Sequence, residues 1–500
     1  MYQDWKCVSE WPQVPGSDAI ERRRLARQEN PLEKKGIIGA FCRTYTVTQA
    51  MEKFIPGMYE ATDIPGRYTY TGGSTTGGAI LYDDDLFLYS HHATDPCSGQ
   101  LVNAFDLIRL HMFSDRDKES KEATPVNKLP SFQAMSKLAR EDKTVSGLVV
   151  KEKFEQAKEV SGMNPAEDEN VDWVLRLTRD GNNRIEKTIN NVTMILENDP
   201  FLKGKIVTDE FASCGMVRGS LPWNQREGKR RWEDVDYAGY YRYMETFYGI
   251  TGKEKLDNGL LIVSSQNKVN EVKEYLTSLK WDGVKRVDTL LSDYLGADDN
   301  LYTRAVIRKS LCAAVARGIL GGVKYDYMPI FAGTQGIGKS TFLAILGREW
   351  FSDSLTSFEG KESAELIQGT WINEVGELTA MTKQETSAVK QFLSKTHDIY
   401  RAAYGRTTNK YPRRCVFFGT SNDSEFLKDS TGNRRFWPVD VGEHKAKKSV
   451  WQHLPLEVDQ IWAEVYVYWA MGEELFLPKE IEKLAEEQQE KHRESLQKKV

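Results

Sequence analysis

Apolar residues recur along the chain with two different spacings, and these spacings predict where helices and strands lie. Residues 302–320, YTRAVIRKSLCAAVARGIL, place apolar side chains every three to four positions and predict a helix. After Pro329, short apolar runs alternate with helical patterns up to about residue 442, which is typical of alternating strands and helices. From Pro478 the sequence is rich in Lys and Glu and predicts a polar helix.

The first half of the chain has a more mixed pattern. Residues 36–113 combine β-forming residues with Gly-rich turns, and predict two or three short strands followed by a helix in NAFDLIRLHMF. We therefore predict four parts: a small α+β domain at 1–120, a mixed α/β and helical domain at 121–300, an α/β core at 301–445, and a helical segment at 446–500.

Composition narrows the class of protein. The chain has 500 residues, 40% hydrophobic and 28% charged, which indicates a soluble protein of several domains. It has no apolar run near the ~18 residues that cross a bilayer, and its first residues do not resemble a secretory signal. Six cysteines without C-x-x-C pairs are typical of reduced thiols, so we expect a cytoplasmic protein. A net charge of −5 excludes a protein that coats nucleic acid with its whole surface, but not one with a basic channel.

The clearest chemical signal follows the apolar run Met328–Ala332. Here the pattern Gly-x-x-x-x-Gly-Lys-Ser stands between a predicted strand and a predicted helix, the order that a phosphate-binding loop requires. Its glycines let backbone N–H groups approach phosphate oxygens, its lysine reaches the β- and γ-phosphates, and its serine can bind Mg²⁺. The predicted site for a nucleoside triphosphate and Mg²⁺ comprises Gly333, Thr334, Gln335, Gly336, Ile337, Gly338, Lys339, Ser340 and Thr341.

Two acids follow the next predicted strand, in WINEVGEL. We expect Glu374 to bind the metal and Glu377 to act as the general base toward water. Their separation by three positions leaves the order of these two roles open. The alternative is that both acids begin a solvated helix.

Further polar residues follow later strands. Asn422 comes at the end of the apolar strand in VFFGTSND, where an amide can orient a water molecule. Arg434 and Arg435 follow a Gly-Asn turn, and either one can supply positive charge to the γ-phosphate of a neighbouring subunit. A plain surface pair of arginines is the alternative.

The stretch YRAAYGRTTNKYPRR, residues 400–414, contains five basic residues and no acid. Its Gly, Pro and tyrosines predict a hairpin whose cations bind DNA phosphates without sequence preference. One alternative is a solvated basic loop. The other is that Arg401 or Arg406 contacts the nucleotide instead of DNA. The predicted DNA-binding residues are Arg401, Arg406, Lys410, Arg413 and Arg414.

Taken in order, the phosphate loop, WINEVGEL, the basic stretch, FFGTSND and GNRRFWPV resemble the virulence-associated protein E family. The resemblance covers roughly residues 190–445. It implies a P-loop NTPase fold of the AAA+ and superfamily 3 helicase type, with ATP between subunits of a ring, usually of six, and DNA in the central pore. On these motifs Glu374 and Glu377 match the second acidic motif, Asn422 the sensor, and Arg434 or Arg435 the arginine finger.

The resemblance implies a DNA helicase or translocase in the replication of a phage or mobile element, within a bacterial host cell. An ATP-switched DNA clamp or initiator needs the same residues and stays open, as does a small-molecule kinase. Residues 36–113 look like the segment that joins primase and helicase parts in phage primase–helicase proteins. The chain is then a helicase-only form that works with a primase partner, or a fragment of a longer protein.

His91, His92, Cys97 and His111 lie within 21 residues and are types that bind zinc. Their spacing lacks paired C-x-x-C or H-x₃₋₅-H halves, so we interpret the region as a β-rich connector with polar turn histidines.

Overall fold

A computed structural model describes residues 29–121, 123–162, 172–180, 184–376, 383–401, 407–427 and 433–493. Contacts divide the chain into two units. The first contains the residues up to Ile206 together with Val217–Gln266, and the second contains Val207–Met216 together with the residues from Asn267 onward. The four-part division predicted from the sequence stays a prediction.

An antiparallel sheet forms in the first unit, where the sequence predicts only two or three strands. Its five strands pair in chain order. The extra strands arise because Asp83, Asp84 and Asp85 all adopt positive φ and turn the chain sharply between two of them, a conformation that Asp tolerates better than most residues. In chain order the elements are α1 (Gly36–Thr44), α2 (Val47–Phe54), β1 (Tyr59–Ala61), β2 (Arg67–Tyr70), β3 (Ala79–Tyr82), β4 (Phe87–Ser90) and β5 (Leu101–Asn103).

The helix predicted in NAFDLIRLHMF is confirmed as α3 (Ala104–Phe113), and it begins where the Asn103 side chain accepts a hydrogen bond from the Asp106 backbone N–H. The first unit continues with helices that bury a second apolar cluster. These further elements are α4 (Pro130–Glu141), α5 (Lys143–Ser161), α6 (Asp172–Leu175), α7 (Ile189–Asn198), β6 (Ile206–Asp209), β7 (Cys214–Arg218), β8 (Lys229–Arg231), α8 (Asp234–Tyr248) and α9 (Lys253–Gln266). Strands β6 and β7 carry the chain into the second unit and back.

A five-stranded parallel sheet organises the second unit, which confirms the predicted alternation of strands and helices. The strand order is β11-β12-β15-β10-β16, with every neighbouring pair parallel. The elements are β9 (Lys268–Val269), α10 (Glu271–Ser278), α11 (Leu290–Leu295), α12 (Leu301–Leu320), β10 (Met328–Ala332), α13 (Lys339–Gly347), β11 (Phe351–Ser352), α14 (Gly360–Leu366), β12 (Ile372–Val375), α15 (Lys383–Leu393), β13 (His397–Tyr400), β14 (Asn409–Pro412), β15 (Val416–Ser421), β16 (Phe436–Asp440), α16 (Leu454–Ala470) and α17 (Lys479–Lys491).

The central strands of this sheet are buried on both faces, which explains why they appear in the sequence as unbroken apolar runs. Successive side chains alternate between two clusters. Phe331 packs in a cluster with Trp371 and Trp462, whose stacked rings lie 4.1 Å apart between centroids. Ile330 packs in the cluster on the other face, which contains Phe392. The sheet therefore separates the two apolar clusters that form the core of the second unit.

The basic stretch does form the base of a hairpin. Strands β13 and β14 are antiparallel and join β12 to β15 along the chain, with Tyr400 and Tyr411 packed 4.6 Å apart between ring centroids. Lys410 and Arg401 are exposed to solvent. Arg406 lies outside the described residues.

Two of the five predicted DNA-binding cations are corrected by the structure. Arg413 is buried, donates from Nε to Asp398 at 2.8 Å, and places its guanidinium 4.0 Å from the centre of the Phe392 ring. Arg414 is half-buried and donates from Nη1 to the Gly318 and Ile319 carbonyls at the end of α12. Both prefer these internal acceptors because a buried cation needs a nearby negative group. Arg413 therefore has no exposed charge to offer a DNA strand, and Arg414 directs Nη1 to carbonyls of its own chain.

The Arg413–Asp398 pair gives a stability prediction. The two side chains are 0% and 3% exposed, so Arg413→Ala leaves a buried carboxylate without its partner. We expect a loss of about 3–5 kcal/mol in the free energy of unfolding, measured by urea denaturation of the second unit. Lys410→Ala, a cation of the same hairpin that is exposed, is the control and should change stability by less than about 0.5 kcal/mol. Equal effects of the two substitutions would contradict the assignment of Arg413 to the core.

Candidate nucleotide-binding site

The predicted phosphate loop connects β10 directly to α13. The loop passes so close to the backbone just beyond β16 that a side chain would not fit there. A Cβ atom added to Gly333 would lie only 2.3 Å from the Val441 carbonyl oxygen. Gly338, the residue before α13, has φ +99°, a conformation that only glycine adopts without strain. Thr334, Gln335 and Gly336 are exposed at the top of the loop. The two glycines are thus required by the path of the backbone.

Lys339 lies at the first position of α13 and is buried. Its Nζ donates hydrogen bonds to the Gly333 carbonyl at 2.5 Å, to the Thr334 carbonyl at 3.1 Å and to Asn422 Oδ1 at 3.0 Å. Burial lowers the pKa of Lys339, and the charge of Glu374 opposes this effect. The ammonium group is therefore held inside the loop, at the point where phosphate oxygens bind in loops of this kind.

Glu374 is the acid that the fold brings to this loop. Its Oε1 accepts hydrogen bonds from Ser340 Oγ at 2.6 Å and from Thr420 Oγ1 at 2.7 Å, and the residue is 5% exposed. Thr420 is a member of the site that the sequence argument did not assign. The signal was present, since Thr420 is a polar residue at the carboxyl end of a buried strand.

Parallel pairing explains why these residues meet. Strand β15 lies between β10 and β12, with Thr420 opposite Phe331 and Phe418 opposite Glu374. The carboxyl ends of parallel strands share one edge of the sheet, where α/β proteins bind their ligands. The phosphate loop, Glu374 and Asn422 therefore form one site. Glu377 lies outside the described residues.

Arg434 and Arg435 are not part of this site within the chain. They precede Phe436, which pairs with Met328 at the amino end of β10, so they lie at the opposite edge of the sheet from the phosphate loop. Arg435 donates from Nε to Ser394 Oγ at 3.1 Å, whereas Arg434 is exposed. Of the two, Arg434 is the one whose side chain faces solvent.

The histidines of the first unit separate into different environments. His92 Nε2 accepts hydrogen bonds from the Tyr70 and Gly78 backbone N–H groups at 3.3 Å and 3.1 Å. Cys97 and His111 instead meet Asp95, with ligand-type atoms within 4.8 Å of one another. Tyr59, which the sequence argument did not connect with them, donates from its hydroxyl to Asp95 at 2.7 Å.

Asp95 is the centre of this group. Burial alone would raise the pKa of Asp95, but hydrogen bonds from His111, Cys97 and Ser90 outweigh it and lower the pKa below its usual value. The carboxylate is therefore ionised and satisfied by protein donors. Of the four residues that suggested zinc, Cys97 and His111 come together around Asp95, whereas His92 bonds to the backbone of another segment.

Among the described residues, none of the helices has both the length and the apolar character that crossing a membrane requires.

One comparison with known proteins, the match to a family model, agrees with the motifs. The family model for the virulence-associated protein E-like domain matches residues 276–494. Comparison with curated protein sequences gives no match. Two solved structures of the NrS-1 C-terminal region in its apo form are similar at 13% identity and a TM-score of 0.37; one alignment covers 58% of this chain and 72% of that chain, the other 62% and 76%. These are distant likenesses. Residues 276–494 of this chain therefore carry a virulence-associated protein E-like domain.

Proposed function

We propose that this chain is a P-loop ATPase of the AAA+ and superfamily 3 type that acts as a DNA helicase or translocase in phage or mobile-element replication. The observation that carries the proposal is the meeting of Lys339, Ser340, Glu374 and Asn422 at the carboxyl edge of the parallel sheet. A nucleoside triphosphatase needs a cation, a hydroxyl, an acid and a polar amide in one place. The family match supports the same assignment.

The side chains present fit ATP and Mg²⁺. The Ser340 hydroxyl and the Glu374 carboxylate are hard oxygen donors already 2.6 Å apart, the donor type that Mg²⁺ prefers. In the bound state Mg²⁺ neutralises charge that develops on the phosphates. Lys339 is positioned to exchange the two loop carbonyls for phosphate oxygens, and Asn422 is positioned to orient a water molecule.

The hairpin is the feature that favours DNA as the partner. It lies along the chain between β12, which carries Glu374, and β15, which ends one residue before Asn422. Lys410 and Arg401 keep exposed positive charge on it, and Ile399 is 70% exposed. Exposed cations with aromatic and apolar neighbours suit the backbone and bases of a single strand.

Hydrolysis and unwinding are tested first with Lys339→Ala. Loss of the ammonium should lower DNA-stimulated ATP hydrolysis by roughly 10²–10³-fold, the scale for removing one group that stabilises transition-state charge. Strand displacement on a forked duplex should be lost with it. Lys361→Ala, an exposed cation paired with Glu365, is the matched control and should keep both activities.

The outcome with the unmodified protein separates the alternatives. ATP hydrolysis without strand displacement would favour a DNA clamp or initiator and would contradict the helicase assignment. Phosphoryl transfer to an acceptor other than water would favour a kinase.

The DNA role of the hairpin is tested with Lys410→Ala. Removing one phosphate contact should weaken DNA binding for every sequence and reduce the slope of log affinity against log salt by about 1. Hydrolysis without DNA should not change. Lys479→Ala, an exposed cation at the start of α17, is the control. A fall in DNA-free hydrolysis would assign the hairpin cation to the nucleotide instead.

In the ring of subunits that the family resemblance implies, we propose that Arg434 acts on the nucleotide of a neighbouring subunit. Arg434→Ala should lower hydrolysis by roughly 10³-fold, as for other arginine fingers. Mixing Arg434→Ala subunits with Lys339→Ala subunits should restore part of the activity, since some interfaces then combine an intact loop with an intact arginine. Arg435→Ala, which loses a contact inside its own chain, should not be restored by mixing. No recovery in the first mixture would contradict action between subunits.

A further inference from the structure

A second basic site lies in the first unit, where no function has been assigned. A cavity of about 960 Å³ opens beside helices α4 and α5 and the segment that follows α6. Two acids line it, but the basic residues outnumber them: Arg116, Lys137, Arg140, Lys153 and Arg179. The excess of positive charge in a concave site is unusual for a protein whose net charge is −5.

Among the described residues, the side-chain hydrogen bonds of two of these cations, Arg140 and Lys153, go to carbonyl groups. Arg140 Nη1 donates to the Ser136 carbonyl of its own helix at 3.2 Å. Lys153 Nζ donates to the Phe247 carbonyl at 3.1 Å and lies 5.8 Å from the centre of the Tyr248 ring. Within the described ranges, neither side chain forms an ion pair with a carboxylate. Each side chain has further N–H donors beyond the bond named here.

These cations also repel one another. Burial and the charge of Arg179 lower the pKa of Arg140 to about 10. Burial, with the charges of Arg179 and Arg140, lowers the pKa of Lys153. At neutral pH the guanidinium groups remain charged, so like charges are held close together in this half-buried site. Partly buried groups whose pKa values are shifted in this way are often found at ligand sites.

Apolar side chains also line the cavity: Ile37, Val149, Val150, Val174 and Leu177. A ligand that satisfies both kinds of side chain has a multiply charged anionic group and a flat or apolar part. The volume falls in the range of cavities that hold molecules of about nucleotide size.

We infer that this cavity binds a nucleotide, either free or as one unit of a nucleic-acid strand. Its phosphate pairs with Arg140 and Lys153, and its base packs against the valines and Leu177. Arginine suits this role because its planar group donates two parallel hydrogen bonds to phosphate. The site belongs to the first unit, whereas the phosphate loop belongs to the second.

The test uses the full chain with Lys339→Ala, which weakens binding at the phosphate loop. Two probes are titrated by fluorescence anisotropy: mant-ATP, and a short fluorescein-labelled oligo-dT strand. Adding Arg140→Gln and Lys153→Gln removes both charges but keeps donors for the Ser136 and Phe247 carbonyls. We expect binding to weaken by roughly 10–100-fold, about tenfold for each charge-assisted contact. Lys151→Gln, an exposed cation on the same helix α5, is the control and should leave binding unchanged.

The two probes identify the source of the nucleotide. Loss of mant-ATP binding assigns a free nucleotide, and loss of oligo-dT binding alone assigns a strand. If the double substitution leaves both titrations unchanged, or if the Lys339→Ala chain binds neither probe, the inference is wrong.

Thermal melting without any probe distinguishes a ligand site from a structural role. Removing two mutually repelling charges should leave the melting temperature equal or higher. A lower melting temperature would show that the cations serve the fold, and would overturn the inference.

Discussion

The buried carboxylate of Glu374 is the constraint on which the arrangement of the second unit depends. A carboxylate at 5% exposure is stable only where donors surround it, and an uncompensated one costs several kcal/mol. Its donors are Ser340 from the helix after the phosphate loop and Thr420 from the neighbouring strand. Three elements must therefore be in register for one group to be satisfied. The same alignment brings Lys339 to Asn422.

Other buried charges of the second unit follow the same rule. Arg317 is fully buried in α12 and donates to the carbonyls of Val323, Tyr325 and Cys415, at 3.0, 2.7 and 2.8 Å. Arg413 is neutralised by Asp398. The first unit contrasts with this, since among the described residues Arg140 and Lys153 each donate to a single carbonyl, whereas Arg317 donates to three. This difference in the number of acceptors is why we place the inferred ligand at Arg140 and Lys153 rather than at Arg317.

The basic stretch shows how one run of charge divides between these two roles. Antiparallel pairing places Lys410 opposite the exposed Ile399 and Tyr411 opposite the buried Asp398. Past the end of β14, Arg413 points inward and pairs with Asp398, while Lys410 stays in solvent. The hairpin therefore divides its cations between an exposed part and a base that is anchored in the core.

The sequence alone predicted the alternation of strands and helices in the second unit and the phosphate loop of its candidate site. Unbroken apolar runs such as Met328–Ala332 predict strands buried on both faces, and the glycines and Lys339 identify a phosphate loop because few other sequences allow that backbone path. Tertiary structure decided what depends on partners distant in the chain. Thr420 donates a hydrogen bond to Glu374, which lies 46 residues away in the chain, and the ion pair with Asp398 allows Arg413 to be buried. A charge run indicates how many cations are present, but burial and the nearest carboxylate decide which of them remain available to a ligand, and these are properties of packing.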